Sequence, residues 1–203
     1  MNNADMTADL DTPLNNDKEL VARTQGGDPR AFDELIVKYT PRLYGLVYHM
    51  TSNHEDTNDL LQDVFGKAYR SICSFRGKSS FSTWMHSIAV NMTINFLKKR
   101  KRRQHPSLND PDCNIENDPD FIAATSNADP RHEISIHELQ KKLNAAMAKL
   151  SHDHRAVVTM FDIQGIPHAE IAKIIGISEG TVRSRLFYAH RQLQNSLAEF
   201  RKP

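Results

Sequence analysis

Two cysteines in 203 residues, Cys73 and Cys113, are too few for a disulfide framework and do not form a CxxC pair. Both are expected as unpaired thiols of a reducing compartment. Glycine is scarce at eight residues and aromatics make up only 7% of the chain, a balance that favours helices over strands. No apolar run approaches the roughly 18 residues needed to span a bilayer, so no membrane insertion is expected. The opening MNNADMTADLDTPLNND is polar and acidic, without the basic and apolar segments of a signal peptide. The expected location is the cytoplasm. What is present is a 39% apolar fraction, enough for real cores in one ordinary domain or two small ones.

The net charge of +1 hides strong segregation. Residues 98–103, KKRKRR, carry six positive charges. Residues 104–133 carry seven acids against Arg131, a net of −6, and residues 179–202 carry five bases against two acids. A near-neutral total therefore does not exclude nucleic acid as a partner.

Periodicity organises the chain. Residues 1–16 have no apolar repeat and read as a disordered tail. Asn16 and Glu19 resemble a capping box, and Asp28-Pro29 is an N-cap with proline at the first helical position. Phe32, Leu35, Ile36, Tyr39, Leu43, Leu46, Val47 and Met50 then recur at helical steps, with Pro41 expected to kink or break the run. A second capping box, Ser52 and Glu55, opens a helix with Leu60, Leu61, Val64, Phe65, Ala68 and Ile72 on one face. After the loop SFRGKSS comes FSTWMHSIAVNMTINFLKKRKRR, whose apolar stripe reads Phe81, Trp84, Ile88, Met92, Phe96. Residues 17–103 thus form one helical domain. Residues 104–133, with three Asp-Pro pairs, read as a flexible acidic linker. Helical periodicity resumes at Ile134 and carries a second domain over residues 134–203. The expected fold is all-α.

The stretch HAEIAKIIGISEGTVRSRLF, residues 168–187, fits a helix-turn-helix. Ala172 is small where two helices cross, Gly176 frees the turn, Ile177 plugs the gap and Ser178 caps the second helix. Ile171, Ile175, Val182 and Leu186 should face the core, the seam continuing through Ala189, Leu193 and Leu197. Such a second helix enters the major groove, where an arginine fork can hold guanine O6 and N7 together. Candidate DNA contacts are Ser178, Thr181, Arg183, Ser184, Arg185, Phe187 and Tyr188, with phosphate contact or plain solvation, rather than base contact, expected of Arg185 and Arg191.

The segment DLLQDVFGKAYRSICSFRGKSSFSTWMHSIAVNMTINFLKKRKRR resembles region 2 of bacterial sigma factors, within them the extracytoplasmic-function (ECF) group of the sigma-70 family. LSHDHRAVVTMFDIQGIPHAEIAKIIGISEGTVRSRLFYAHRQL is similar to region 4 of the same group. The resemblance implies a non-enzymatic subunit that binds core RNA polymerase, at the clamp helices of its largest subunit and at its flap. It implies promoter reading at a downstream −10 element by region 2 and an upstream −35 element by region 4, with no cofactor or metal. Asp59, Gln62, Asp63 and Lys67 stand where the family docks on the clamp helices. Trp84, Asn91, Asn95, Lys98, Lys99 and Arg100, with Lys101, Arg102 and Arg103 behind them, stand in the part that opens the promoter. Asn91 matches the position beside a flipped base, and the cations supply phosphate attraction. Many relatives have an anti-sigma partner. Three departures stand out: Gly66 in place of a large aliphatic residue with loss of a core contact, Ser151 in place of proline, and Tyr188 in place of arginine.

Promoter elements about 17 base pairs apart lie roughly 60 Å apart. A linker of about 30 residues averages about 30 Å but extends to about 100 Å, so residues 104–133 can bridge them when held extended. Their negative charge would suit a basic channel, and in the family the linker runs through the channel for nascent RNA. Two other readings compete. A free-standing helix-turn-helix regulator would bind duplex DNA without polymerase. A metal-dependent hydrolase or nuclease would draw on His132, Glu133, His137, His152, Asp153 and His154, but HEISIH is not HExxH and its alternate residues point to different faces.

Overall fold

The structure is a computed structural model that describes residues 12–104 and 142–198. The described residues form helices joined by short turns and loops, without strands. Four long helices come first: α1 (Thr12–Gln25), α2 (Pro29–Thr51), α3 (His54–Ser71) and α4 (Phe81–Gln104). A short 3-10 turn, Ile72–Ser74, follows α3. The second region holds α5 (residues 142–148), α6 (His152–Val158), α7 (His168–Ile175) and α8 (Glu179–Ser196), with a π-helical turn, Thr159–Ile163, extending α6.

Local chemistry sets the helix ends. α1 begins at Thr12, ahead of the Asn16 expected to cap it. Asp28 caps α2 by accepting from the Arg30 N–H, and its carboxylate also receives Arg23 at 2.8 Å. α2 passes through Pro41 without interruption. Pro41 and Val37 are both exposed, so the carbonyl freed by the missing N–H can be hydrated. The expected Ser52–Glu55 box is shifted by one residue. Ser52 instead ends α2 in the left-handed conformation (φ 55°), and Asn53 caps α3 by accepting from the Asp56 N–H at 2.8 Å.

One apolar cluster runs through the molecule. Leu35, Leu43, Leu46, Val47 and Met50 of α2 meet Leu60, Leu61, Val64 and Ala68 of α3. α1 is fastened by the buried Asp17 carboxylate, which accepts from Lys38 Nζ at 2.6 Å and Tyr39 Oη at 2.5 Å. The seam of α4 is wider than the expected stripe and differs in phase: Phe81, Met85, His86, Ala89, Val90, Thr93 and Leu97 are buried, while Trp84, Ile88, Met92 and Phe96 are half-buried and also pack against the core. Small residues, rather than the aromatic ones, occupy the closest helix contacts. Ala89 and Thr93 are buried completely, and Thr93 returns its hydroxyl to the Ala89 carbonyl.

The second region packs directly against the first. Arg155, 7% exposed, donates from Nη1 to the Met50 carbonyl of α2 and from Nη2 to the Ala148 carbonyl of α5. Gln164 Nε2 donates to the Arg42 carbonyl at 2.7 Å, and Thr83 Oγ1 donates to Glu170 Oε1 at 2.9 Å. Each contact runs from a side chain of one region to a backbone carbonyl or a carboxylate, so polar groups as well as apolar ones are matched along the boundary.

Candidate nucleic-acid interface

The helix-turn-helix is built as its residue types require. Gly176 ends α7 in the left-handed conformation (φ 75°), and the Gly176 and Ile177 amides both donate to the Ala172 carbonyl. Ser178 Oγ accepts from the Thr181 N–H at 3.1 Å and also contacts Thr181 Oγ1. Ile171, Ala172, Ile174, Val182, Leu186 and Ala189 are buried. Ile174 is buried in addition to the expected positions; Ile175 and Leu193 are half-buried against the core, and Leu197 is half-buried. The π turn also braces α8: Asp162 pairs with His190 at 2.7 Å.

At about 100° per residue, Gly180, Thr181, Ser184, Phe187, Tyr188 and Arg191 fall within about 60° of one line on α8, opposite the buried seam. All six are exposed. Arg183 and Arg185 flank this face, about 100° to either side. Arg183 pairs with Glu179 at 3.1 Å, and the half-buried Arg185 pairs with Asp153 at 3.4 Å. The Arg183–Glu179 pair is exposed on both sides and is worth well under about 1 kcal/mol, so it yields readily to a stronger partner.

α4 repeats the arrangement. Trp84, Ile88, Asn91, Asn95, Lys98 and Arg102 lie within about 40° of one line, again opposite the buried seam. Asn91, Asn95, Lys98 and Lys99 are exposed, and Asn91 Nδ2 reaches Ser87 Oγ at 3.5 Å. Arg100 turns instead toward α3, where it pairs with Asp56 at 2.5 Å. It ties the end of α4 to the start of α3, apart from the line of Asn91 and Lys98. Trp84 packs on Phe75 and Phe81, with centroids 5.1 and 5.5 Å away. Its outer side lines an open cavity of about 420 Å³ with Ser74, Phe75, Arg76, Lys78 and Ser79. Sequence reasoning treated this loop as a connector. Its composition is nonetheless distinctive: two cations beside a glycine and an aromatic residue, immediately before α4.

On α3, Asp59, Gln62, Asp63 and Lys67 are all exposed opposite Leu61, Val64 and Ala68. Gly66 lies on this polar side, so the expected loss of a core contact does not occur. A Cβ there would meet only the Arg70 guanidinium, at 3.3 Å. Ser151, in the place of proline, caps α6 by accepting from the His154 N–H at 3.2 Å. Among the described residues no group of histidines, cysteines and carboxylates could hold a metal ion. His132, Glu133 and His137 lie outside the described residues, as do Cys113 and the segment 105–141.

Two amphipathic helices, each buried on one side and lined with amides, hydroxyls, aromatics and cations on the other, define a helical nucleic-acid-binding protein. Residues 35–103 match the family described as Sigma-70 region 2, and residues 140–193 match Sigma-70 region 4. Over 89% of its length the chain is 36% identical to the ECF RNA polymerase sigma-E factor of Escherichia coli K12, covering 94% of that protein. It is 33% identical to the RNA polymerase sigma-H factor of Pseudomonas aeruginosa, covering 89% of this chain and 93% of that one. The chain belongs to the sigma-70 family, in its ECF group. Two solved structures share the fold: CnrH in complex with the cytosolic domain of CnrY (TM-score 0.64, 21% identity, covering 92% and 99% of the two chains), and the sigma factor RpoE of Bartonella quintana in complex with the anti-sigma factor NepR (TM-score 0.63, 23% identity, 82% and 96%). The protein is thus a sigma factor, a non-enzymatic subunit that directs promoter transcription with core RNA polymerase. No described helix is long and apolar enough to cross a membrane.

Proposed function

We propose that region 2 docks on the polymerase through the exposed side of α3 and reads the opened −10 element along α4, while α8 of region 4 reads the −35 element as duplex. The observation that carries this reading is the alignment of chemistry on the two helices. Each places its polar and cationic groups opposite its buried seam. Asp59, Gln62, Asp63 and Lys67 form the docking face. On α4, Asn91 and Asn95 meet base edges, Trp84 and the neighbouring cavity accept an extruded base, and Lys98, Lys99 and Arg102 hold phosphates. Arg100 assists through its link to Asp56. On α8, Arg183 leaves Glu179 for a guanine, Ser184, Phe187 and Tyr188 line the groove, and Ser178, Thr181 and Arg185 support the helix N-terminus or contact phosphate.

The packed arrangement cannot engage both elements at once. Following α4 from Asn91 to Thr83, across to Glu170, and through the turn to Arg183 gives at most about 45 Å between α-carbons. The elements lie roughly 60 Å apart. The contacts at Thr83, Gln164 and Arg155 therefore open when the polymerase holds the regions apart, with residues 104–133 as the tether. The site of action is the cytoplasm. The two solved relatives were captured with CnrY and NepR, and an anti-sigma protein is the regulator proposed for this chain by likeness to them.

Run-off transcription with core polymerase tests the reading, using duplex templates and templates mismatched across the −10 element. A substitution at Asn91 should change base preference downstream, and its defect should shrink on the pre-opened template, where unpairing is already done. The Arg183→Ala defect should persist there, because its target stays duplex. Identical base profiles for the two variants would overturn the division of labour. Promoter binding without polymerase would favour a free-standing regulator.

A further inference from the structure

Phe187 and Tyr188 are 63% and 55% exposed, neighbours in sequence and in space, at the middle of the α8 face turned away from the protein. Single exposed apolar residues are ordinary and require no explanation. These two are not scattered. Their rings meet edge to face, with centroids 5.5 Å apart and an interplanar angle of 77°, so each restricts the rotamers of the other before any partner arrives. Arg183 and Arg185 lie on the flanks and are engaged by Glu179 and Asp153, whereas Arg191 is exposed one turn further along the same face. The centre of the face is therefore Ser184, Phe187, Tyr188 and Arg191.

A phenyl ring offers no hydrogen-bonding group, and the edges of guanine, cytosine and adenine in the major groove are polar. Pressing a ring onto them strips water from donors and acceptors without replacing it, which is unfavourable. Thymine alone presents an apolar group there, its 5-methyl. Two rings about 5.5 Å apart suit methyls on adjacent base steps, which are separated by about 3.4 Å along the axis.

We propose that the Phe187–Tyr188 pair selects thymine, through its 5-methyl group, at adjacent positions of the upstream duplex element. This rests on the reading that α8 enters the major groove, and it adds the base class that the second and third turns of the helix demand. Tyr188 offers a ring face and a single neutral hydroxyl where the charged fork of arginine would direct the site toward guanine.

The test uses the full chain assembled with core polymerase. Holoenzyme first selects upstream elements from randomised duplexes. Each selected thymine is then replaced by deoxyuridine, which removes the methyl and keeps every hydrogen-bonding group. At one or two adjacent thymines the replacement should weaken upstream-dependent binding about fourfold, the effect of one buried methyl. Phe187→Ala and Tyr188→Ala should bind thymine and deoxyuridine templates equally, and Tyr188→Arg should move the preference at one base pair toward guanine. Circular dichroism should show unchanged helix content for all three, since both side chains are exposed. The proposal is overturned if selection returns no thymine in the upstream element. It is overturned also if deoxyuridine is harmless where base-pair changes are not, or if the alanine variants lose affinity while keeping full sensitivity to the methyl. An unmutated holoenzyme with no upstream sequence preference at all would instead defeat the underlying reading of α8.

Discussion

Regions 2 and 4 each expose one side of an amphipathic helix, α4 and α8, with different amounts of structure behind it. Region 2 sets α4 against helices of 14, 23 and 18 residues, and its core includes Leu35, Leu43, Leu46, Met50, Val64, Met85 and Val90. Region 4 sets α8 against α6 and α7, of 7 and 8 residues, and the π turn. Helices that short are marginal alone, and small cores bury a smaller share of their surface. Region 4 meets this partly by leaning on region 2: Arg155 joins Met50 and Ala148, Gln164 joins Arg42, and Glu170 joins Thr83. The difference teaches that region 2 holds most of its core within its own long helices, whereas region 4 draws part of its stability from a boundary that, on the proposed reading, opens at the promoter.

The largest effect expected concerns region 2 alone. Lysines in place of Gln62 and Asp63 should lower core-polymerase association by two orders of magnitude or more, because like charges placed across an interface cost several kcal/mol. Both positions are exposed, so helix content should stay intact. Unchanged capture at moderate salt would remove α3 as the docking face.

The next perturbation acts on the boundary. Arg155→Met keeps the apolar stem but deprives two carbonyls of a charged donor, costing about 2–4 kcal/mol. Hydrogen exchange should show α6 to α8 losing protection well before α2 to α4. Equal loss in both regions would mean that they unfold as one unit and would break the comparison.

Arg183→Ala should lower discrimination at the upstream element by roughly 1–3 kcal/mol if its contact is bidentate to guanine. Breaking the Glu179 pair adds almost nothing, as both partners are exposed. Binding measured with each upstream base varied in turn checks this.

Acid offers a gentler probe of region 2 and the boundary. Burial holds His86 below the ordinary histidine value; a nearby Glu170 opposes the shift and Arg42 reinforces it. Burial likewise lowers His49. The unfolded chain then binds more protons than the folded one below about pH 6.5, so this contribution is complete above that pH and is lost as pH falls through the depressed folded values. His86→Gln should flatten the stability profile on the acid side of pH 6.5 in denaturant titrations. An unchanged slope would show that His86 takes no part.

Smallest is Gly66→Ala. Its new methyl meets only the mobile end of Arg70, so restoring helix propensity should stabilise the protein by about 1 kcal/mol, read as a rise in thermal midpoint. A loss instead would mean that the Arg70 guanidinium cannot give way.

Much of this architecture was legible because the relevant physics is local. The cap at Asp28, the turn at Gly176, the cap at Ser178 and the polar side of α3 each follow from residue type and spacing. The phase of α4 did not follow. Bulky Trp84, Met92 and Phe96 form as good a stripe as the true seam, and only the close approach of α2, α3 and α7 selects Ala89 and Thr93 for the inside. The same choice turns Arg100 toward Asp56 and leaves Lys98 facing out, although the two are only two positions apart in one basic run. The loop beside Trp84 became a cavity for a related reason, since its walls come from residues up to ten positions apart.

The sequence by itself determined that the chain is helical, that it carries a helix-turn-helix, and that its charges are segregated, because capping, turn geometry and periodicity act over a few residues. The tertiary structure decided which side of α4 is exposed, which arginines are engaged, and that region 4 rests on region 2. Those outcomes depend on which carbonyls and apolar faces distant segments bring together, as Arg155 does across 105 positions to Met50.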